Sequence, residues 1–356
     1  MKKLHVGIVG LGKISSIYLD NLTTLFSDWV KVVGVTDLVE ERVREVVERY
    51  GVPAFADYRS LLDDEGVDLV LNLTTPQSHY ALCKDALAAG KHVYTEKPLS
   101  LTAAEAEALV LLAAERGLKI GAAPDTFLGS GIQTCRKLID DGWIGHPIGA
   151  CAFMMNRGHE SWHPDPEFYY QRGGGPLFDM GPYYITALVN LLGPVERVSA
   201  VATKSFAHRT ITSEPKKGSV IDVEVATHVA GLLTFNGGAV ATLVTSFDVW
   251  HHTMPNIEIY GSKGTLRVPD PNTFGGPILF CRAGSQEWVE LPLLFDYATD
   301  CRGLGVADIA WSREHHRANG ALALHIVDVM ESLLNASEEQ SSVAIRHQCE
   351  RPPFLW

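Results

Sequence analysis

Gly7-Ile8-Val9-Gly10-Leu11-Gly12-Lys13-Ile14-Ser15 is the stretch on which the fold turns. The run Leu4 to Val9 is rich in strand formers and leads straight into it. Gly10-x-Gly12-x-x-Ser15 matches the dinucleotide-binding fingerprint, with serine in the third small position. The first glycine permits a tight turn. The second lets the backbone approach a pyrophosphate, and the third position lets helix and strand pack closely. Backbone N–H groups and the helix dipole then hold the anion. Gly10, Gly12, Lys13 and Ile14 are therefore expected to contact a cofactor.

Working outward, Val30 to Thr36 is a second strand, and it ends on Asp37. A carboxylate there binds the adenosine ribose hydroxyls and repels a 2′-phosphate, and the adjacent Leu38 offers no positive charge to hold one. Asp37 and Leu38 thus point to NAD. Lys13 stands within reach of an added phosphate, which leaves NADP open.

The same rhythm continues. Val43, Val46, Val47 and Tyr50 fall on one helical face, closed by Gly51 and Pro53. Asp68 to Leu73, His92 to Thr95 and Lys119 to Ala123 read as further strands. Helices over about 78–89 and from a Thr102/Glu105 capping box to near Gly117 separate them. Repeated β-α-β-α order implies a parallel, doubly wound sheet.

After about residue 125 the pattern changes. A helix over Gly131 to Asp140 precedes longer, strand-rich segments. Thr227 to Phe235 and Ala239 to Phe247 flank Asn236-Gly237-Gly238, a hairpin signal. Ile257 to Tyr260 with Gly261 is another strand and turn, and Ala321 to Asn335 a late helix. The chain is therefore expected to hold a dinucleotide-binding Rossmann domain over 1–124 and, over 125–356, an α+β substrate-binding and oligomerisation domain on an open, largely antiparallel sheet.

Composition narrows the function classes. A chain of 356 residues has room for two cores. With 46% apolar and 20% charged residues it is neither disordered nor fibrous. A net charge of −12 disfavours a nucleic-acid surface. Met1-Lys2-Lys3 runs directly into the first strand, with no signal-peptide core, and no stretch reaches membrane-spanning length, so a cytoplasmic protein is expected. Six scattered cysteines, none in a C-x-x-C pair, suggest reduced thiols. His251-His252 and Glu314-His315-His316 lack metal-ligand spacing, so no metal is expected.

Three segments converge on chemistry: Thr74-Thr75-Pro76-Gln77-Ser78-His79, Tyr94-Thr95-Glu96-Lys97-Pro98, and Gly173-Gly174-Gly175-Pro176-Leu177-Phe178-Asp179-Met180-Gly181-Pro182-Tyr183. The first two follow parallel strands, whose ends line a cofactor crevice. Thr74, Thr75 and Pro76 are expected along the dinucleotide, and Glu96 and Lys97 near the nicotinamide. His79 reads either as a cofactor contact or as a surface residue at a helix start.

These residues resemble the Gfo/Idh/MocA oxidoreductase family over nearly the whole chain. The resemblance rests on the glycine loop, Thr75-Pro76 with His79, Glu96-Lys97-Pro98, the triple glycine with Asp179, and Tyr260-Gly261-Ser262-Lys263-Gly264-Thr265. Glu-Lys-Pro is its most specific element. It implies a Rossmann domain followed by an open sheet whose free face often makes an oligomer contact, here a homodimer or homotetramer. It also implies hydride transfer between NAD(P) and a hydroxyl of a sugar, polyol or related carbohydrate. A redox-neutral, NAD-dependent glycosidase or lyase and a non-catalytic dinucleotide sensor are the alternatives.

One departure stands out. Many relatives carry Asp-x-x-x-His, whereas this chain has Asp179-x-x-x-Tyr183. The glucose–fructose oxidoreductase branch and some dihydrodiol dehydrogenase relatives are similar in using tyrosine. On a helix Asp179 and Tyr183 share a face. Free tyrosine titrates near about 10 and needs a neighbouring ammonium such as Lys97 to act as a base. Lys97, Asp179 and Tyr183 are thus the catalytic candidates, with Tyr183 or Lys97 as base. The bland readings are a packed aromatic for Tyr183 and a cap or structural hydrogen bond for Asp179. Asp125, Trp162, His163 and Arg172 are candidates for substrate binding, with Trp162 equally readable as part of an ordinary surface loop.

Overall fold

The computed structural model describes residues 3–312 and 315–355; Met1, Lys2 and Glu314 lie outside the described residues. The chain divides into two compact units. The first comprises Met1–Leu128, Thr299–Val327 and Leu355–Trp356, and the second Gly129–Ala298 and Asp328–Phe354.

In the first unit the order is β1 (Leu4–Val9), α1 (Ser15–Thr23), β2 (Val30–Thr36), α2 (Glu40–Tyr50), α3 (Tyr58–Asp63), β3 (Leu69–Asn72), α4 (Pro76–Ala88), β4 (His92–Thr95), α5 (Ala103–Glu115) and β5 (Ile120–Ala122). The five strands are parallel in the order β2-β1-β3-β4-β5. Their near-continuous apolar sequence follows from burial on both faces: every residue of β3 is buried, and Val6 and Ile8 of β1 are wholly inaccessible. Each such side chain contributes roughly 1.5–3 kcal/mol. The order reverses between β1 and β3, which opens a crevice at the carboxyl ends of those strands.

The expected face of α2 forms, with Val43, Val46, Val47 and Tyr50 half-buried, yet no residue of this helix is fully buried. Thr102 caps α5 by accepting the Glu105 N–H at 3.2 Å. The boundary expected after residue 124 misses the return of Thr299–Val327. That segment is tied down by groups far away in sequence. The Asn21 amide donates to the carbonyls of Asp300 and Arg302, Lys119 Nζ donates to the Ile309 carbonyl at 3.0 Å, and Ala122 N–H donates to the Ala318 carbonyl at 3.2 Å, extending the sheet edge at β5.

The second unit holds α6 (Ser130–Asp140), β6 (Pro147–Met155), α7 (Gly175–Leu192), β7 (Val195–Thr203), β8 (His208–Thr210), β9 (Val220–Asp222), β10 (His228–Phe235), β11 (Val240–Ser246), β12 (Ile257–Gly261), β13 (Gly264–Val268), β14 (Ile278–Arg282), β15 (Val289–Leu291) and β16 (Val343–Ala344). All but β8 and β9 join one sheet, ordered β15-β14-β13-β12-β6-β11-β10-β7-β16. Only the β11–β6 pair is parallel, which matches the largely antiparallel expectation. The Asn236-Gly237-Gly238 and Ser262-Lys263 turns close the β10–β11 and β12–β13 hairpins.

Side chains alternate across this sheet. Val229, Leu233, Ala241 and Leu243 are buried, whereas Val201, Leu232, Val240 and Tyr260 are exposed on the opposite face. The helix α7 runs on through Gly181 and Pro182 because it is almost entirely buried. Packing there outweighs two residues that local propensity reads as breakers.

Candidate functional site

The glycine loop joins β1 to α1. Gly10 sits at φ +91°, and a Cβ on it would meet the Leu73 carbonyl carbon and Thr74 nitrogen at 2.8 Å. Gly12 has nothing within 4 Å of the same position. The two glycines therefore serve different ends. Gly10 is needed by the protein's own backbone, while Gly12 leaves a bare approach that fits a dinucleotide pyrophosphate. Ser15, the third small position, is buried and donates its hydroxyl to the Gly12 carbonyl at 2.7 Å. Ile14 is half-buried at the helix start, and Lys13 is exposed. A groove of about 330 Å³ beside Gly12 and Lys13 is walled by Arg42, Val46 and Tyr50.

Asp37 follows β2. One carboxylate oxygen accepts Leu11 N–H at 2.6 Å and the other Val39 N–H at 2.8 Å. Arg42 lies 3.9 Å from the latter oxygen. Leu38 is fully exposed.

At the end of β3, Asn72 turns the chain by accepting the N–H and hydroxyl of Thr74 at 3.1 and 2.7 Å. The sequence signal for this residue is an asparagine two positions before a threonine at a strand end. Thr75 is exposed as the N-cap of α4, and Pro76 fills its first turn. His79, legible as a surface residue, is wholly buried. Its Nδ1 lies 2.6 Å from the Pro98 carbonyl and its Nε2 3.0 Å from the Thr74 carbonyl. A neutral ring donates to only one of these, and burial holds its pKa below the ordinary histidine value. It links the turn after β3 to the turn after β4.

That second turn carries Glu96 and Lys97. Glu96 is buried; it accepts the Tyr18 hydroxyl at 2.7 Å and the Lys97 N–H at 3.2 Å. Burial, then the charge of Glu96, push the Tyr18 phenol well above its usual range, so it stays a donor. Lys97 is half-buried, and the Lys97–Pro98 bond is cis. The glycine loop, Thr74–Pro76 and Glu96–Lys97 thus occupy the carboxyl ends of three neighbouring parallel strands, β1, β3 and β4.

Asp125, a candidate for substrate binding, is 1% exposed. One of its oxygens accepts the N–H groups of Gly303 and Gly305 at 2.9 and 3.0 Å, where the helix Leu304–Trp311 begins. Burial pushes its carboxyl up to about 6. This geometry gives Asp125 a duty in the fold. His316 is likewise internal to the first unit: its Nε2 donates to the Ile120 carbonyl at 2.9 Å, and burial lowers it to about 4.

In the second unit α7 carries Asp179, partly exposed, and Tyr183, 7% exposed. The loop between β6 and α7 brings His159 to Asp179, with Nε2 3.0 Å from Oδ2. The sequence alone gives this histidine no role, because no periodicity links it to a residue on the following helix. Beside it, Trp162 is exposed, His163 Nδ1 accepts the Asp165 N–H at 3.0 Å, and Arg172 is exposed. A buried ion cluster sits beneath: Arg209 donates to Glu160 at 2.7 Å, to the Phe247 carbonyl at 2.9 Å and to Asp248, and the Tyr170 hydroxyl donates to Glu160. Among the described residues no group of His, Cys, Asp and Glu side chains has a metal-binding arrangement. No helix is long and apolar enough to cross a membrane among those described.

Comparison with known proteins accords with this arrangement. Residues 4–123 match the profile of the Gfo/Idh/MocA oxidoreductase family, NAD-binding Rossmann fold, and residues 132–267 match the Gfo/Idh/MocA C-terminal domain. The myo-inositol 2-dehydrogenase of Thermotoga maritima is 27% identical over 264 residues, 74% of each chain. The D-xylose dehydrogenase of Paenarthrobacter nicotinovorans is 29% identical over 167 residues, 45% of this chain and 43% of that one. Levoglucosan dehydrogenase in complex with NADH and L-sorbose superposes with a TM-score of 0.82 at 19% identity, covering 97% of this chain and 99% of that one. An NAD-binding oxidoreductase from Klebsiella pneumoniae gives 0.84 at 21%, with the same coverage. At these identities the structural likeness speaks to the fold.

Proposed function

The chain belongs to the Gfo/Idh/MocA oxidoreductase family, and on that premise we propose that it is an NAD-dependent dehydrogenase acting on a secondary hydroxyl of a sugar or polyol. The observation that carries this reading is the placement of the glycine loop, Thr74–Pro76 and Glu96–Lys97 at one edge of the parallel sheet. Relatives named for inositol and D-xylose support the substrate class.

Gly10, Gly12, Lys13 and Ile14 hold the pyrophosphate. Asp37 takes the adenosine ribose hydroxyls, and Leu38 offers its exposed side chain to the adenine. Thr74, Thr75 and Pro76 follow the dinucleotide, with His79 fixing their turn and Glu96 supporting Lys97. When bound, NAD supplies the acceptor for the hydride of the substrate carbon. Lys97 polarises the hydroxyl and stabilises the developing alkoxide. Tyr183 or Lys97 takes the hydroxyl proton, and Asp179 orients the hydroxyl. Trp162 stacks on the carbohydrate, with His163 and Arg172 meeting its hydroxyls.

Two coarser readings accompany this one. The exposed Val201, Leu232, Val240 and Tyr260 on the open face of the sheet support a homodimer or homotetramer. Six cysteines without a disulfide support a reducing, cytoplasmic setting. The test is NADH formation from NAD with myo-inositol, D-xylose and levoglucosan, in the wild type and in Lys97→Ala. At least one sugar should be oxidised, and the lysine variant should lose turnover by about 100-fold or more while still binding NADH. Wild-type NADH binding with no oxidation of any panel sugar contradicts the proposal.

A further inference from the structure

His159 stands on the loop between β6 and α7, and its Nε2 lies 3.0 Å from Oδ2 of Asp179. An ionised carboxylate only accepts, so the ring proton sits on Nε2 and Nδ1 is the bare nitrogen. Nδ1 is buried and has no hydrogen-bond partner among the described residues. Among the described residues the bond to Asp179 is therefore the ring's one hydrogen bond. A histidine kept only to fill space has no need of it, and an orphaned buried nitrogen is exceptional enough to require a reason.

The surroundings place this ring closely. Tyr169, Phe247 and Trp162 pack around it with centroids at 3.9, 4.7 and 5.2 Å. The His159 N–H donates to the Tyr170 hydroxyl at 3.3 Å. The next residue, Glu160, is fixed by Arg209 at 2.7 Å and by Tyr170. Arg209, with a side chain 2% exposed, is anchored in turn by Asp248 and the Phe247 carbonyl. A buried ion cluster thus fixes the backbone that delivers an imidazole to one carboxylate.

We propose that His159 is a positioning residue of the reacting centre, acting through Asp179. Its Nε2–H sets the direction of the carboxylate and shares its negative charge, so that Asp179 meets the substrate hydroxyl in one orientation. The hydrogen bond persists through turnover, and His159 itself exchanges neither proton nor hydride with the substrate. This rests on the reading above that Asp179 belongs to that centre.

Two substitutions separate the role from packing. His159→Phe keeps an aromatic ring among Tyr169, Phe247 and Trp162 but removes the donor. His159→Gln restores an N–H near the place of Nε2. With NAD and the panel sugar turned over fastest, His159→Phe should lower kcat about 10- to 100-fold with KM and NADH affinity nearly unchanged. His159→Gln should recover most of that loss. A wild-type kcat in the Phe variant, or equal losses in both variants, overturns the proposal. Asp179→Asn is measured beside them. If it turns over like the wild type, the assignment of Asp179 fails and the inference with it. If it is slow while His159→Phe is fast, only the role of His159 fails. A reading without substrate comes from 15N NMR of the imidazole: the Nε2–H tautomer is expected at His159, with its proton signal shifted in Asp179→Asn. An Nδ1–H tautomer overturns the proposal.

Discussion

Asp37 Oδ2 accepts the Leu11 backbone N–H at 2.6 Å. The residue expected to recognise ribose thereby also ties the end of β2 to the glycine loop after β1. Its second oxygen closes the turn at Val39. Asp37→Ala should cost about 1–3 kcal/mol in stability through the lost charge-assisted hydrogen bonds. It should also weaken NADH binding by about tenfold or more, since each 1.4 kcal/mol is a factor of about ten. Affinity for NADPH should fall less. Denaturant melts and fluorescence titration with both nucleotides read the two effects separately.

The two glycines of the loop should respond in opposite ways to the same methyl group. Gly10→Ala places a Cβ 2.8 Å from the backbone of Leu73 and Thr74, at a φ of +91°. A loss of about 2 kcal/mol or more is expected. Gly12→Ala meets nothing within 4 Å, so stability should change by less than about 0.5 kcal/mol. Its Cβ occupies the approach left for the pyrophosphate, and NADH affinity should fall about tenfold. Equal melting points for the two variants contradict this division of labour.

Asp125 gives a pH dependence with a definite sign. Burial raises its carboxyl to about 6 in the folded protein, from the ordinary 3.8. The folded state therefore holds the proton more tightly than the unfolded chain. The resulting stability is fully present below about pH 4 and is lost as the pH rises through about 6, a change of about 3 kcal/mol. Asp125→Asn keeps an acceptor for Gly303 and Gly305 but does not titrate. The difference in unfolding free energy between wild type and variant should shift by that amount between pH 4 and 7 and stay flat above it.

Arg209 is the counter-charge of two buried acids. Arg209→Met retains bulk but removes the guanidinium that Glu160 and Asp248 share, leaving Glu160 only the longer 3.5 Å contact with Arg157, at an expected cost of about 3–5 kcal/mol near neutral pH. Urea melts of the wild type and the variant test this, and a loss below about 1 kcal/mol contradicts it.

The sequence by itself determined the parallel sheet, the glycine loop, Asp37 at the second strand end and Glu96–Lys97 at the fourth. Each is encoded by residues adjacent in the chain, where strand pattern, turn chemistry and motif agree. Even the departure at Tyr183 was legible, because it is a matter of spacing within one helix. Tertiary structure alone decided the rest. The helix α7 runs through Gly181 and Pro182 because burial outweighs local propensity. Asp125 turns inward because a segment nearly 180 positions away brings Gly303 and Gly305 to it. His79 is buried between two carbonyls that its own neighbourhood in sequence does not announce. The imidazole beside Asp179 comes from His159, 20 positions earlier on an irregular loop, and Arg209 holds that loop from the β8 strand. Periodicity and motif record what neighbours in the chain do together. Buried polar pairing satisfies groups across long separations, and only the packed chain reveals which groups meet.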